Sequence, residues 1–398
     1  MERKLSAIFY EFYENAKGGI LLILCTIISL LLANSSIHES YLAIWHYSFS
    51  GLSIELWVND GLMAIFFLLI GLELKRELLV GELSSRKKAL LPVIAAAGGM
   101  LVPAGIYALF NYGTITQAGA GIPMATDIAF AIGVLSLLGP RIPLSIKIFL
   151  TAIAVIDDLG AIIVIAVFYT ASLSLVNLLI VFGIFAGLWL MKKFKVKYLG
   201  LYLIGGGFMW YFMLKSGVHA TLAGILLAFV IPFGKGEKSS LSYRLEHFLH
   251  EPVALFILPV FALANTAIVF GTGWDSGLAE PGSAGIFAGL IIGKPLGVVL
   301  FSLIAVAVGI CSLPSGLKWK HIIGVGFLTG IGFTMSIFIT LLAYSDPVLI
   351  RESKISILFA SLVSGILGFV WLKMVFKNQN RRIKEKENIK ISDNLKNE

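Results

Sequence analysis

Long apolar runs separated by short polar connections dominate the hydropathy pattern of this chain. A helix needs about 20 apolar residues to cross the hydrocarbon of a membrane, and shorter helices occur inside bundles. We therefore interpret the pattern as an all-α polytopic membrane protein with about twelve transmembrane helices, forming a single transmembrane domain over residues 1–376. The predicted spans cover residues 12–32, 59–80, 90–110, 118–138, 144–169, 176–191, 199–214, 217–231, 248–269, 284–310, 321–344 and 353–376.

Two segments depart from this pattern. Residues 33–59 form a long connection that alternates in YLAIWHYSFSGLSIELWV, with Ser50 and Gly51 at its centre. Alternation around a Ser-Gly pair predicts a β-hairpin over residues 40–57 on the outer surface, and a loosely ordered loop is the alternative. Residues 377–398 mix both charges and hold no aromatic residue, which predicts a disordered cytoplasmic tail.

The composition excludes a soluble globular protein. Hydrophobic residues make up 58% of the chain and charged residues only 14%, whereas soluble domains carry roughly 25% charged residues. The net charge of +8 does not indicate a nucleic-acid partner, because the basic residues fall in the connections of one membrane face. With the N-terminus in the cytoplasm, that face holds all the Lys and Arg residues except Lys215, Arg351 and Lys354 outside and Lys294 within a span. This asymmetry predicts an even number of spans with both termini cytoplasmic.

The most informative stretch is TAIAVIDDLG, residues 151–160, where Asp157 and Asp158 interrupt an apolar span. An ionisable group at this depth costs about 2.5–3.5 kcal/mol on insertion scales, so it indicates a functional site. A neighbouring like charge disfavours ionisation further. A carboxylate under these conditions can hold a proton or a cation but not both, which is the basis of exchange. A buried ion pair with Lys294 that serves only stability is the alternative.

Two other spans carry many helix breakers, QAGAGIPMATDIAFAIG and GVGFLTGIGFTMSIF. Interrupted helices in corresponding halves of a chain point to a transporter binding site, although small residues also serve close helix packing. Broken helices leave half-charges in the interior. We expect Asp127 to offset the positive ends and Lys294 to offset the negative ends.

Hard cations bind carboxylate, hydroxyl and carbonyl oxygens. Such oxygens are available in and around the two stretches, whereas no Cys and His cluster has the spacing of a transition-metal site. The sequence therefore predicts a site for transported Na⁺ and no cofactor. The candidate ligands are Asp157, Asp158, Thr126 and Asp127.

Seven motifs, in order along nearly the whole chain, resemble the NhaA family of bacterial sodium/proton antiporters. They are FFLLIGLELKREL (66–78), MATDIAFAIG (124–133), FLTAIAVIDDLGAI (149–162), SGVHATLAG (216–224), RLEHFLH (244–250), GKPLG (293–297) and GIGFTMSIFI (330–339).

The resemblance implies inverted repeats with two discontinuous helices that cross, an architecture known for this family. It implies Asp158 as the principal cation and proton site, with Asp157 beside it and paired to Lys294. Thr126 and Asp127 belong to the crossing. It further implies electrogenic exchange of Na⁺ or Li⁺ for H⁺ in the bacterial cytoplasmic (inner) membrane, supporting sodium extrusion and pH homeostasis. It also implies contact with membrane lipid and a homodimer formed through the outer hairpin.

The family resemblance also implies activation at alkaline pH by a cytoplasmic cluster. Local charge pairing at a helix end is the alternative for the first two glutamates of the cluster, and a simple buried hydrogen bond is the alternative for His219. Tyr243 stands where we expect a basic residue. The implied pH-response residues are Glu73, Glu77, His219, Glu246, His247 and His250.

Other classes of protein also use aspartates in the membrane. An intramembrane aspartyl protease needs one aspartate from each of two helices, whereas here the two are adjacent and Lys294 accompanies them. A sodium-coupled uptake carrier or a passive cation channel is the remaining alternative. The sequence thus favours a secondary transporter over an enzyme.

Overall fold

The computed structural model describes residues 2–139, 142–169, 173–234, 237, 239–271, 275–314 and 316–396. Helices account for most of this part of the chain, as the long apolar runs predict. The α-helices are α1 (Glu2–Ala33), α2 (His38–His46), α3 (Ile54–Leu56), α4 (Met63–Leu79), α5 (Arg86–Asn111), α6 (Ile128–Ser136), α7 (Leu144–Phe168), α8 (Leu175–Lys193), α9 (Leu199–Ser216), α10 (Leu222–Val230), α11 (Leu241–Pro252), α12 (Leu258–Asn265), α13 (Pro281–Phe287), α14 (Lys294–Ala307), α15 (Trp319–Thr329), α16 (Phe333–Ala343) and α17 (Pro347–Lys396).

Short π-helical or 3₁₀ turns join several of these helices into longer spans. Pro259 and Pro295 follow π-helical turns, because a residue without an N–H breaks the regular i to i−4 ladder. The π-helical turns are Trp57–Leu62, Val253–Ile257 and Ala288–Gly293, and the 3₁₀ turns are Glu82–Ser84, Gln117–Met124 and Ser276–Ala279.

The all-α polytopic class is confirmed, but the number of spans is not. Among the described residues, 8 helices are long and apolar enough to cross a membrane, or 10 if two bent pairs are each counted as one span. One bent pair joins α15 to α16 at 46°, and the other joins α1 from Lys17 to α2 at 116°. The helices α9 and α10 correspond to two further predicted spans, and α10 has only nine residues. The inverted-repeat relation stays a prediction.

A β-hairpin is present in the predicted segment but is much shorter than predicted. Strands β1 (Ser48–Phe49) and β2 (Leu52–Ser53) pair antiparallel, around a turn in which Ser50 and Gly51 have φ of 54° and 85°. The segment before it is the helix α2, because Tyr41 and Trp45 are one helical turn apart and both become buried. The Tyr41 hydroxyl lies 2.9 Å from Ser29 Oγ. The apparent alternation therefore concealed a helical spacing.

The helix α17 continues through the segment that we predicted to be a disordered tail. Its side chains are described up to residue 377. The disorder of residues 377–398 and the single domain over residues 1–376 stay predictions.

Glycines let α5 and α14 cross at very close range, which positions the site. A Cβ on Gly98 would overlap the Gly297 carbonyl oxygen, and a Cβ on Gly297 would overlap the Gly98 carbonyl oxygen. Gly99 lies beside the aliphatic part of Lys294, which is at the first position of α14. The same helix α5 also packs against α7, which carries the two aspartates. The crossing therefore brings Lys294 toward α7.

Candidate functional site

Asp127 stabilises the start of two different helices. It is the N-cap of α6, and its Oδ1 accepts a hydrogen bond from the Phe130 N–H at 2.9 Å. Its Oδ2 accepts from the Thr334 N–H at 3.1 Å and from the Thr334 hydroxyl. A carboxylate at a helix start satisfies otherwise unpaired N–H groups and opposes the positive end of the helix dipole. One buried carboxylate thus caps α6 and α16 together.

The two broken spans are hydrogen-bonded to each other at their breaks. The Asp127 N–H donates to the Ile331 carbonyl at 2.7 Å, and the Thr126 hydroxyl lies 2.8 Å from the Thr329 carbonyl. In the opposite direction, Ser336 on α16 donates to the Ile122 carbonyl at 2.7 Å. Each break therefore supplies partners for the other, as backbone groups within a membrane require.

Asp157 on α7 forms an ion pair with Lys294, and both side chains are fully buried. The Lys294 ammonium also donates to Thr126 Oγ1 at 2.9 Å, and that hydroxyl lies 2.7 Å from Asp157 Oδ2. Among the described residues, no main-chain carbonyl accepts a hydrogen bond from Lys294, which we expected to offset negative helix ends. The Lys294 ammonium contacts the Thr126 hydroxyl instead, and this hydroxyl lies beside the Thr329 carbonyl at the end of α15.

Asp158 has a different environment from its neighbour. Its side chain is buried, and in the described part of the chain neither of its carboxylate oxygens has a hydrogen-bond partner. Asp157 Oδ1 is also without one. The charges of Asp157, Asp127, Glu73 and Lys294 all act on Asp158. Since carboxylates outnumber the ammonium, the enclosed space favours a proton or a small cation.

The predicted Na⁺ ligands divide into two groups. Thr126 and Asp127 are engaged with protein partners, whereas Asp158 and Asp157 Oδ1 present free acceptor oxygens. Across the described residues no group of three or more His, Cys, Asp or Glu side chains could hold a resident metal ion. Among the four predicted ligands, the oxygens without a hydrogen-bond partner in the described part of the chain are those of the adjacent aspartates.

Three of the implied pH-response residues lie around an ion-pair cluster. Arg76 Nε on α4 lies 2.7 Å from Glu246 on α11, and Arg76 is 3.5 Å from Glu77. His247 stacks on Tyr243, with ring centroids 6.2 Å apart. The pairing of Glu246 connects two helices, whereas the contact between Arg76 and Glu77 lies within the end of α4, as the local-pairing alternative for that glutamate predicts.

The remaining implied pH-response residues are more scattered. His250 follows Glu246 by one turn of α11, and Glu73 precedes Glu77 by one turn of α4. His219 lies before the start of α10, with its ring Nε2 2.8 Å from the Tyr169 carbonyl. The Arg76 end of α4 faces the other end of α10, roughly 13 Å away for a nine-residue helix. The structure therefore does not bring His219 into the cluster.

Sequence reasoning overlooked two buried lysines. The Lys75 ammonium donates to the carbonyls of Ala228 at 2.9 Å and Ile231 at 2.5 Å, so it caps the end of α10. Lys354, which we assigned to an outer connection, is buried on α17 and donates to Asn265 at 3.2 Å. A lysine inside LIGLELKREL could have indicated the first, but the position of Lys354 at a predicted span end gave no such signal.

A cluster of carboxylates and one lysine, enclosed between broken membrane helices, defines a carrier for small cations. The comparisons with known proteins agree with this class. The sequence model of the family described as Na+/H+ antiporter 1 matches residues 11–372. The chain belongs to this family of secondary transporters and is not an enzyme. The protease, uptake carrier and channel alternatives have no support.

Curated relatives match over almost their full length. The chain is 61% identical over 373 residues to "Na(+)/H(+) antiporter NhaA 1" of Flavobacterium johnsoniae, covering 94% of this chain and 98% of the relative. It is 58% identical over 385 residues to "Na(+)/H(+) antiporter NhaA" of Dechloromonas aromatica, covering 96% and 99%. The solved structure of the sodium proton antiporter MjNhaP1 from Methanocaldococcus jannaschii shares the fold, with a TM-score of 0.52 and 17% identity, covering 94% of this chain and 98% of that one.

Proposed function

We propose that this protein exchanges Na⁺ for H⁺ across the membrane and that Asp158 carries both ions in turn. The observation that carries this proposal is the buried Asp158 carboxylate, which has no hydrogen-bond partner among the described residues. A buried, unpaired carboxylate is costly, so it is stabilised by taking up a proton or by binding a cation. Since the two occupants use the same oxygens, binding of one expels the other.

The residues around Asp158 have supporting roles in this proposal. Asp157 is held by Lys294 and Thr126 and leaves one oxygen, Oδ1, for a cation. Asp127 holds the two broken helices in place. Small hard cations prefer oxygen ligands, so we expect Li⁺ to be accepted beside Na⁺. Electrogenic exchange is carried over from the family resemblance.

We further propose that the protein lies in the bacterial cytoplasmic membrane with both termini in the cytoplasm. The distribution of Lys and Arg along the sequence supports this orientation. A homodimer formed through the hairpin is supported by Tyr47 and Phe49, which expose 65% and 64% of their surface there. Large exposed apolar groups on a water-facing segment are typical of an interface.

The transport proposal is tested in inverted membrane vesicles with a preformed pH gradient. Added Na⁺ or Li⁺ should collapse the gradient, K⁺ should do so much less, and Asp158→Asn should abolish the response, because an amide can neither bind the cation with a charge nor exchange a proton. Asp346→Asn is the matched control, because Asp346 is exposed, caps the start of α17 through the Val348 N–H, and an asparagine can keep that cap. Normal exchange by Asp158→Asn would refute the proposed site.

Regulation by pH is proposed to reside in the cluster of Arg76, Glu77 and Glu246. Glu246 connects α11 to α4 through its ion pair with Arg76. Protonation of Glu246 would break this connection, and a neutral residue at this position removes the connection at every pH. Glu246→Gln should shift the pH midpoint of exchange in the same vesicles. Glu251→Gln, an exposed change on the same helix, should leave the midpoint in place. Identical profiles for Glu246→Gln and the natural protein would indicate that the pair has only a structural role.

A further inference from the structure

The start of α16 lacks a capping side chain of its own. The residue before it is Gly332, which can offer none. The N–H groups in the first turn of a helix have no partner within the helix and must be satisfied elsewhere, above all in a membrane. Asp127 satisfies the Thr334 N–H. The Phe333 N–H, at the first position of α16, needs a second acceptor.

That acceptor comes from the last helix of the bundle. Ser361 on α17 is only 3% exposed, and its Oγ accepts a hydrogen bond from the Phe333 N–H at 3.1 Å. The positive end of α16 is thus capped by two side chains that are remote in sequence. Asp127 approaches it from the first broken span, and Ser361 approaches it from α17.

The break itself has little free space. A Cβ on Gly330 would overlap the Leu290 carbonyl oxygen, and a Cβ on Gly332 would overlap Ser336. Because the break is closely packed, a small shift of the first turn of α16 would change the contacts of the whole break. The direction of α16 therefore depends on the groups that hold this turn. Those groups are the side chains of Asp127 and Ser361.

We infer that Ser361 is a positioning residue for the ion site. If its hydroxyl is removed, the Phe333 N–H becomes a buried donor without its acceptor, next to the Thr334 N–H that the Asp127 carboxylate already satisfies. Sharing that carboxylate would weaken its bonds to Phe130 or Thr334 and move the crossing. Thr126 borders Asp127, so the change would reach the Lys294 and Asp157 pair.

A neighbouring serine provides a matched control. Ser364 lies one turn further along α17 and is fully buried, and in the described part of the chain its hydroxyl has no hydrogen-bond partner. Replacing Ser364 by Ala removes the same atom from the same helix at a similar depth. It should therefore reproduce any packing effect of the substitution without the loss of a cap.

The inference rests on the proposed exchange activity, so its test includes that activity. In inverted vesicles, Ser361→Ala should raise the apparent KM for Na⁺ by about three- to tenfold, a part of what one unsatisfied buried N–H can cost. Ser361→Thr, which keeps the acceptor, should restore the KM, and Ser364→Ala should leave it unchanged. Amide hydrogen exchange should be faster in the peptide that contains Phe333 for Ser361→Ala only.

The outcomes separate the two proposals. An unchanged KM for Ser361→Ala, beside an active natural protein and an inactive Asp158→Asn, would overturn the positioning role alone. Equal effects of Ser361→Ala and Ser364→Ala would overturn it as well. Absence of Na⁺-dependent exchange in the natural protein would overturn the proposed function. If Ser361→Ala does not fold, Ser361→Cys, which keeps the volume with a poor acceptor, is compared with Ser361→Thr by the same criteria.

Discussion

Adjacent residues of identical chemistry have different environments in this site. Neighbours on an α-helix point about 100° apart, so Asp157 and Asp158 have different surroundings. Asp157 faces Lys294 and Thr126, whereas Asp158 has no hydrogen-bond partner among the described residues. The pair therefore combines one carboxylate held by an ion pair with one that has no hydrogen-bond partner in the described part of the chain.

The buried ion pair leads to a prediction at this scale. Lys294→Ala leaves Asp157 as an uncompensated buried charge, which in other proteins costs about 3–5 kcal/mol. We expect a clear loss of thermal stability for the protein purified in detergent. The double variant Lys294→Ala with Asp157→Asn should recover part of this loss, because an amide needs no counter-charge. Equal melting temperatures for the single variant and the natural protein would contradict the argument.

At the scale of elements, helix ends and helix crossings decide the site. The breaks in two spans expose helix ends in the interior, and side chains from other elements satisfy them. The approach of α5 to α14 through Gly98 and Gly297 places Lys294 against α7. Small residues allow such close helix packing in membranes.

The close crossing can be tested with two glycines of the same helix. Gly98→Ala should destabilise the protein by about 1–3 kcal/mol, because the new methyl group would overlap the backbone of α14. Gly105→Ala is the control, since nothing lies within 4 Å of its Cβ position, and it should be neutral or stabilise by up to about 1 kcal/mol. Thermal unfolding in detergent measures both. Equal stability of the two variants would show that α5 and α14 can move apart without a loss of stability.

At the scale of the whole molecule, a second buried polar network joins distant parts of the chain. Lys354 on α17 donates to Asn265 at the end of α12, and Asn265 donates to Asn59 in the turn before α4 at 2.7 Å. All three side chains are at most 9% exposed. The network therefore connects the last helix to two segments outside the broken spans.

This network predicts an order of stability. Asn265→Ala removes the acceptor of a buried ammonium and should destabilise by about 1–3 kcal/mol. Lys354→Met should cost less, because it removes the buried charge itself while keeping the apolar stem. Lys373→Met, an exposed change on the same helix, should have no effect. A greater loss of stability for Lys354→Met than for Asn265→Ala would contradict this argument, which attributes the larger loss to a buried ammonium without its acceptor.

Much of the architecture could be predicted from the order of residues alone. Apolar length predicts membrane helices because the hydrocarbon excludes unpaired backbone groups. Buried charge marks Asp157, Asp158 and Lys294 as candidate functional residues, and glycines, joined by Pro123 in the first break, mark the two breaks. The membrane helices and their breaks could be predicted because each depends on local composition.

The sequence by itself determined the class of fold, the broken spans and the small set of charged residues within them. Only the tertiary structure decided which aspartate is paired, that Asp127 caps two helices, that Ser361 completes the second cap and that Lys354 is buried. Each of these depends on contacts between residues far apart in the chain. Their directions and distances follow from how the helices cross, which no local pattern encodes.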